Sequence, residues 1–454
     1  MMNLRCFTSS FNKYILFFTI LFFSCSGGDS GSSDSSDPLS PQISVSDNLI
    51  SFGQVYIMTS SDSQTLNVQG VDLSEPINIT VSGPFEVSTD NNNFSDYAEL
   101  SSSTQNEIYI KFKPTETGLN VGGVLLESPN AESVEVTLTG TGITVVHSYT
   151  TFSQQALGFG GGFNQSSSQV FNLHDDLSNI NQVKMFLQID CPSTGCDDWD
   201  RFANVKVKDP ISGSWFEIGR YITPYWVGTQ QLERGLEFDV TDFKSLLTGS
   251  VELRIYIENW TAKADIVTVE FDFIEGNPDF QYYEVAEVLG YHVNSIDGVP
   301  YGVEHNFDLN KTVQIPSNTE FAQLRTIISG WGHATPNDIG GRPCAEWCFR
   351  THDVVVNGAN MFQHYMGPIG CASNPINNQN PGNWQPDRAG WCPGMVVPVR
   401  LNQLDINSIG TTFDFEYDFE DWVSDGAGGN AYYATSTYIV VKSSSPISSP
   451  IVTN

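Results

Sequence analysis

The sequence predicts an all-β protein of several antiparallel domains, and three observations carry that reading. Helical patterning is nearly absent along the 454 residues. Short runs of alternating Val, Ile, Phe and Tyr recur throughout, the period-two signature of half-buried strands. Aromatic residues make up 12% of the chain and charged residues only 16%, a balance suited to β-rich exported folds with large cores. The length exceeds one ordinary domain, so two or three are expected. A formal charge of -32 argues against DNA or RNA as a partner, because phosphates need a cationic surface. Solubility in a secreted protein is explanation enough for the acidity.

Residues 1–25 read as a lipoprotein-type signal peptide. Arg5 and Lys13 precede the apolar run from Tyr14 to Phe23, which is too short for a comfortable membrane span. Ser24-Cys25 at its end makes Cys25 the expected lipidation site and first mature residue. That anchors the chain to a Gram-negative membrane, facing the cell surface or periplasm. A plain cleaved signal, giving a released protein, is the alternative. Residues 26–39 form a flexible acidic tether of Ser, Gly and Asp, similar in composition to the surface-export tethers of Bacteroidetes lipoproteins. Residues 40–142 read as a β-sandwich without cysteine or tryptophan, closing on Gly140-Thr-Gly142. This pattern resembles the immunoglobulin-like domains of the Hydin and choice-of-anchor type, and implies a spacer or adhesion module without catalytic residues.

From about residue 145 the composition shifts. All nine tryptophans and all the cysteines that can pair in the mature chain lie beyond it. Alternating strands such as Val183–Asp190, Val251–Trp260 and Val267–Phe273 form one domain, 145–277. A break at Glu275-Gly-Asn-Pro278 separates it from a second, 283–454, with strands at Leu324–Ile328, Phe413–Tyr417 and Tyr438–Lys442 and a loop rich in Asn, Pro and Gly at 371–395. Two such domains side by side create a cleft at their junction, a usual place for a site. Of eight cysteines, Cys6 leaves with the signal and Cys25 takes the lipid. The even remainder in an exported protein indicates disulfides, and proximity favours Cys191–Cys196, Cys344–Cys348 and Cys371–Cys392. No C-x2-C pair or neighbouring His pair suggests zinc.

Two of these cysteine loops hold an acid beside an indole, at Cys196-Asp-Asp-Trp199-Asp200-Arg201 and Cys344-Ala-Glu346-Trp347-Cys348. A short disulfide loop fixes a carboxylate, and an indole supplies a face for a sugar ring and excludes the water that keeps a carboxylate's pKa low. The shared design suggests that the two tips meet at one site. Glu258 and Trp260, read as strand positions two apart on one face, give a third such pair. Amide hydrolysis without a metal needs a base for water and a donor for the departing nitrogen, and carboxylates of different burial can divide these tasks. Arginines suit a developing oxyanion or sugar hydroxyls. Locally, Asp200 could instead be a turn acid paired with Arg201, Glu258 a solvated strand residue, and Arg388 a structural partner of Asp387. His333 reads as a hydrogen-bonded cleft histidine rather than a base or ligand. Of Trp199, Trp226, Trp260, Trp331, Trp347 and Trp391, half are expected to line the cleft and the rest to be core.

Residues 145–454 resemble the peptide-N-glycosidase F family of bacterial N-glycan amidases. The matching blocks are CDDWDRFANVKVK (196–208), IGRYITPYWVGT (218–229), DVTDFKSLL (239–247), ISGWGHA (328–334), CAEWCFRTH (344–352), NPINNQ (374–379) and DRAGWCPGM (387–395). The resemblance implies two eight-stranded antiparallel jelly rolls packed side by side, and it supports the same disulfides. It places the principal catalytic acid on Asp200, supporting glutamates on Glu258 and Glu346, a chitobiose-binding arginine on Arg201 and another cleft arginine on Arg388. Where the family often has Glu, this chain has Asp198. The expected substrates are N-glycosylated proteins and peptides, cleaved by a monomer with no cofactor and no metal. A capturing protein without activity would lose an acid, and all three are present. A copper monooxygenase would need clustered His and Met ligands, whereas the seven histidines are scattered.

Overall fold

The computed structural model describes residues 40–101, 104–291, 299–300, 309–337, 341, 343–422, 425 and 431–454. Cys6, Cys25, the signal segment and the tether lie outside the described residues. The regular structure of the described chain is almost wholly strand. Its amino-terminal part is a sandwich of a four-stranded and a five-stranded sheet. Ile77–Ser82 shows the alternation that builds it, with every second residue buried, and Leu66, Ile79, Phe112, Val124 and Leu138 fill the space between the sheets. Nothing in this part reaches the cleft described below.

Sixteen strands of the next two domains set the rest. In the first they are β1 (Val146–Thr150), β2 (Ser166–Asn172), β3 (Ile180–Asp190), β4 (Phe202–Lys208), β5 (Trp215–Ile222), β6 (Leu236–Asp239), β7 (Ser250–Ile257) and β8 (Asp265–Glu275). The second has β9 (Tyr282–Tyr291), β10 (Asn310–Gln314), β11 (Phe321–Trp331), β12 (Thr351–Val356), β13 (Ala359–Tyr365), β14 (Val399–Leu404), β15 (Thr412–Asp418) and β16 (Tyr432–Ser443). Their sheets run β1-β8-β3-β6 and β2-β7-β4-β5, then β9-β16-β11-β14 and β13-β12-β15-β10. Counted from its own first strand, each domain has the order 1-8-3-6 against 2-7-4-5, which is the double Greek key of a jelly roll. Short strands such as Gln155–Leu157 and Ile451–Thr453 extend the edges.

Both strands of the usual polar-out alternation are buried where the domains meet. On β4, Val205 and Val207 enter the first core, while Asn204 and Lys206 on the opposite face are also buried. On that face Phe202 packs edge-on against Trp331 of β11, and Asn204 donates to Glu217, whose carboxylate also accepts from Ser436 of β16. A bulge in the β4–β5 pairing, between Val205 and Lys206, inserts one extra residue into β5. Glu217 and Arg220, three apart, therefore point to the same face instead of opposite ones. Arg220 holds Glu217 with two bonds, Nε to Oε1 at 3.0 Å and Nη2 to Oε2 at 2.7 Å. It also donates across the junction to Ser329 Oγ and the Ala434 carbonyl, and Ser436 Oγ donates to Glu217. Further along, Arg325, Gln323 and Lys442 of the second domain converge on Asp242 of the first. Backbone pairing adds to the seam: Ile222 N–H donates to Met395 O and Val397 N–H to Arg220 O.

Glu217 and Arg220 are fully buried, so removing one partner leaves an uncompensated charge. Arg220→Met is expected to destabilise the protein by about 3–5 kcal/mol, read as a lower urea midpoint at unchanged slope. An unchanged midpoint would mean that water already solvates the pair.

Candidate active site

The jelly rolls leave a cleft of about 1090 Å³ at one end of their junction, lined by strand ends and loops of both. The Asp200 segment enters from the first domain. The Cys191–Cys196 disulfide ties the end of β3 to the turn before it, and Thr223 then grips the chain: Arg201 N–H donates to Thr223 Oγ1 at 2.9 Å and Thr223 N–H to Arg201 O at 3.0 Å. Glu346 enters from the second domain inside the Cys344–Cys348 loop. Its N–H donates to Gly332 O and its carbonyl accepts from Ala389 N–H. Gly330 permits this close packing, because a Cβ there would lie 2.6 Å from Ala345 O.

Arg388 joins the two acids. It is 1% exposed, with its guanidinium carbon 4.5 Å from the Trp347 ring centre and 4.9 Å from that of Trp391. Nε donates to Glu346 Oε1 at 3.1 Å, and Nη2 lies 3.5 Å from Asp200 Oδ2. Nη1 also donates to Pro386 O, and Nη2 to Asn383 O and the Tyr225 hydroxyl. Both local pairings left open by the sequence give way to this arrangement. Arg201 turns to buried Asp197, Nε to Oδ2 at 2.6 Å, rather than to Asp200. Asp387 Oδ1 accepts three backbone N–H bonds from Ile369, Gly370 and Cys371, which leaves Arg388 to the cleft. With four of its five N–H groups so committed, Arg388 is a fixed bridge between the acids.

Asp200 is nine-tenths buried, and this desolvation pushes its pKa up to about 6. Arg388 opposes the rise, Glu346 adds to it, and the nearby Tyr225 hydroxyl lowers it again. The acid therefore exchanges protons near neutrality. His333 stands 3.4 Å from Glu346 Oε2 with its ring largely exposed. The bond to Glu346 raises its pKa above the ordinary imidazole value.

Glu258 and Trp260 both line the cleft, but not as strand neighbours. β7 ends at Ile257, and the two sit on a turn organised by buried Asn259. Asn259 Oδ1 accepts from Thr261 N–H at 2.8 Å, while Nδ2 donates to Lys263 O and to Asp265 Oδ2. An asparagine satisfying its own turn competes well with a ladder, which ends the strand early. The tryptophans also depart from expectation, since all six border the cleft. Trp199, Trp226 and Trp260 are exposed, at 59%, 40% and 54%, and offer faces to a ligand. Trp331 stacks on buried Trp391 with ring centres 4.3 Å apart. Trp226 has φ +67, uncommon for a bulky residue. Sequence reasoning does not single out Tyr225, whose one signal is its place in the Pro-Tyr-Trp of a matching block.

Among the described residues, Cys371, Asp387 and Cys392 cluster closely enough to hold a metal ion. The two sulfurs are bonded to each other and Asp387 is occupied as above, so no thiolate is left to ligate one.

Comparison with known proteins gives the cleft a context. Families described as "Peptide-N-glycosidase F, N terminal" and "Peptide-N-glycosidase F, C terminal" match residues 208–273 and 302–440. The peptide-N(4)-(N-acetyl-beta-D-glucosaminyl)asparagine amidase F of Elizabethkingia miricola is 55% identical over 304 residues, which is 67% of this chain and 86% of that protein. The solved structure of PNGase F, a glycosylasparaginase from Flavobacterium meningosepticum, is 54% identical, with a TM-score of 0.67 over 68% of this chain and 100% of that one. A recombinant peptide:N-glycanase F is similar at the same identity and TM-score, over 99% of its length.

The raised pKa of Asp200 has a stability consequence. Its folded form holds the proton more tightly than the unfolded chain, so its stabilising contribution is present below about pH 4 and lost as pH rises through about 6. Asp200→Asn removes that loss. The variant's stability advantage over the parent should therefore grow between pH 4 and 7, to an order of 3 kcal/mol for a shift of about two units. Denaturation curves across that range check it, and parallel curves would mean an unperturbed acid.

Proposed function

The chain belongs to the peptide-N-glycosidase F family, and from that premise and the cleft's geometry we propose that it hydrolyses the amide between an Asn side chain and the innermost GlcNAc of an N-linked glycan. The products are Asp in the peptide and a glycosylamine that decays to ammonia and reducing sugar. The observation that carries this reading is the pair of acids from two domains held by one buried arginine. Their environments differ as acid–base roles require: Asp200 is desolvated, while Glu346 meets solvent and His333. Asp200 is the principal acid–base group, taking a proton from water or giving one to the departing nitrogen. Glu346 and Glu258 orient water and the chitobiose core. Trp199 and Trp260 supply stacking faces, with Arg201 beside them for sugar hydroxyls. The chemistry assigned here uses carboxylates alone, without a metal.

The rest of the reading concerns placement. The signal pattern ending at Cys25 supports a lipid-anchored, exported protein, and residues 26–39 supply the tether. The sandwich fits a Hydin-type spacer that holds a monomeric enzyme away from the membrane.

Cleavage of a defined glycopeptide in heavy-oxygen water tests the reaction. Label is expected in the new Asp carboxylate; label on the released sugar, with one GlcNAc left on Asn, would mean an endoglycosidase. Asp200→Asn should lower the rate at least ~100-fold, the scale of a lost acid–base group, and substantial turnover would move the principal role to Glu346. A chain starting at Thr144 is expected to keep near-full turnover on a small glycopeptide. Loss of most activity in a folded chain of that kind would show that the sandwich shapes the cleft.

A further inference from the structure

The segment Asn374-Pro-Ile-Asn-Asn-Gln379 contributes nothing to the cleft wall, yet it is built into the junction. Gln379 is fully buried. Its Nε2 donates to Ile376 O at 2.8 Å and Pro393 O at 3.1 Å, both within the long loop of the second domain. Its Oε1 crosses to the first domain and accepts from Tyr225 N–H at 3.0 Å. Asn374, also buried, braces the same loop through Ile376 N–H and Pro393 O. From the other side Gln231 accepts from Asn377 N–H and bonds the Asn378 side chain. Three residues beyond Gln379 the chain passes so near Tyr225 that a Cβ on Gly382 would overlap its ring. Asn383 O then takes a donor of Arg388.

Tyr225 needs such support. It follows the end of β5, where no ladder fixes it, and its neighbour Trp226 has φ +67. Its hydroxyl accepts from Arg388 Nη2 at 3.2 Å, the same nitrogen that lies 3.5 Å from Asp200 Oδ2, and its nearness lowers the Asp200 pKa. We propose that Gln379 and Gly382 clamp Tyr225 across the domain junction and thereby hold its hydroxyl against Asp200. Gln379 is then a positioning residue that touches neither substrate nor acid. An amide is the side chain for this place, because it accepts one bond and donates two at once; Glu lacks the donors and Leu lacks both functions. This inference rests on the amidase reading above for its effect on turnover, though not for its effect on Asp200 itself.

The test compares Gln379→Leu, Gly382→Ala and Tyr225→Phe in the full chain, and the first two again on the Tyr225→Phe background. Turnover of a glycopeptide, thermal melting and the titration of Asp200 by carboxyl carbon NMR are read for each. Gln379→Leu should lower kcat about 10-fold with KM within about twofold. It should also move the Asp200 titration upward, since the tyrosine hydroxyl beside it favours the carboxylate. The other charged groups facing Asp200, Arg388 and Glu346, are left in place. Once the hydroxyl is gone, the same change should alter kcat by less than about twofold. A loss of equal size with and without the hydroxyl, or a folded Gln379→Leu with the parent kcat and Asp200 titration, overturns the clamp. If Gln379→Leu does not fold, Gly382→Ala carries the same comparison. A parent that leaves the glycopeptide intact would sink the amidase reading, and the Asp200 titration would then decide the clamp alone.

Discussion

One buried guanidinium decides what this cleft can be. Arg388 lies between two indoles and answers two carboxylates from different domains. A planar fork in a low-dielectric slot cannot turn away from its partners without leaving a charge unpaired. The acids are therefore held as a pair of fixed spacing, and their separation follows the packing of the two jelly rolls. That is also why Asp200 can be deeply desolvated without being unreactive. Burial lifts its pKa, and the arginine and the Tyr225 hydroxyl stop the rise near the middle of the pH scale.

The cleft thus depends on how firmly the domains are joined, and much of the join is a buried polar network. The Glu217–Arg220 pair, Ser329, Ser436 and the Asp242 cluster lie beside apolar contacts in which Val285, Tyr438 and Val440 pack into the first core and Ile222 meets Ile327 and Trp391. Apolar surfaces tolerate sliding, whereas a buried network tolerates few registers. Specificity of register is a recognised use of such networks. An active site assembled from both halves needs that quality more than it needs raw adhesion.

Much of this was legible before any coordinates. Alternating runs mark β3 and β15, and the short cysteine loops flag Asp200 and Glu346 because an acid on so tight a loop has few other uses. What could not be read was direction. Polar residues alternating along β4 and β11 look like a solvated sheet face, and only the docked partner domain shows that Asn204 and Arg325 are buried. Arg201 and Arg388 each stand beside an aspartate in sequence, but each pairs with a distant or more buried acid. Local spacing cannot rank those partners. Glu258 and Trp260 looked like strand neighbours because their turn is made by Asn259, whose bonds depend on Asp265 arriving from β8. Tyr225 stayed unremarked because its importance comes from what folds over it.

The bulge in β5 also governs how this chain can change length. With the extra residue in place, Glu217 and Arg220 share a face. Losing the bulge while keeping the length would restore an ordinary pleat and rotate the arginine into the apolar core of the first domain. Deleting the extra residue would instead leave the two residues two apart and still on one face. All of these are good strands, so the harm of a flipped arginine would appear in the other domain, as a cleft whose halves no longer meet. Length changes elsewhere on the surface can be absorbed by loops, but between residues 217 and 220 the spacing and the bulge can change only together in any descendant that keeps both jelly rolls working together.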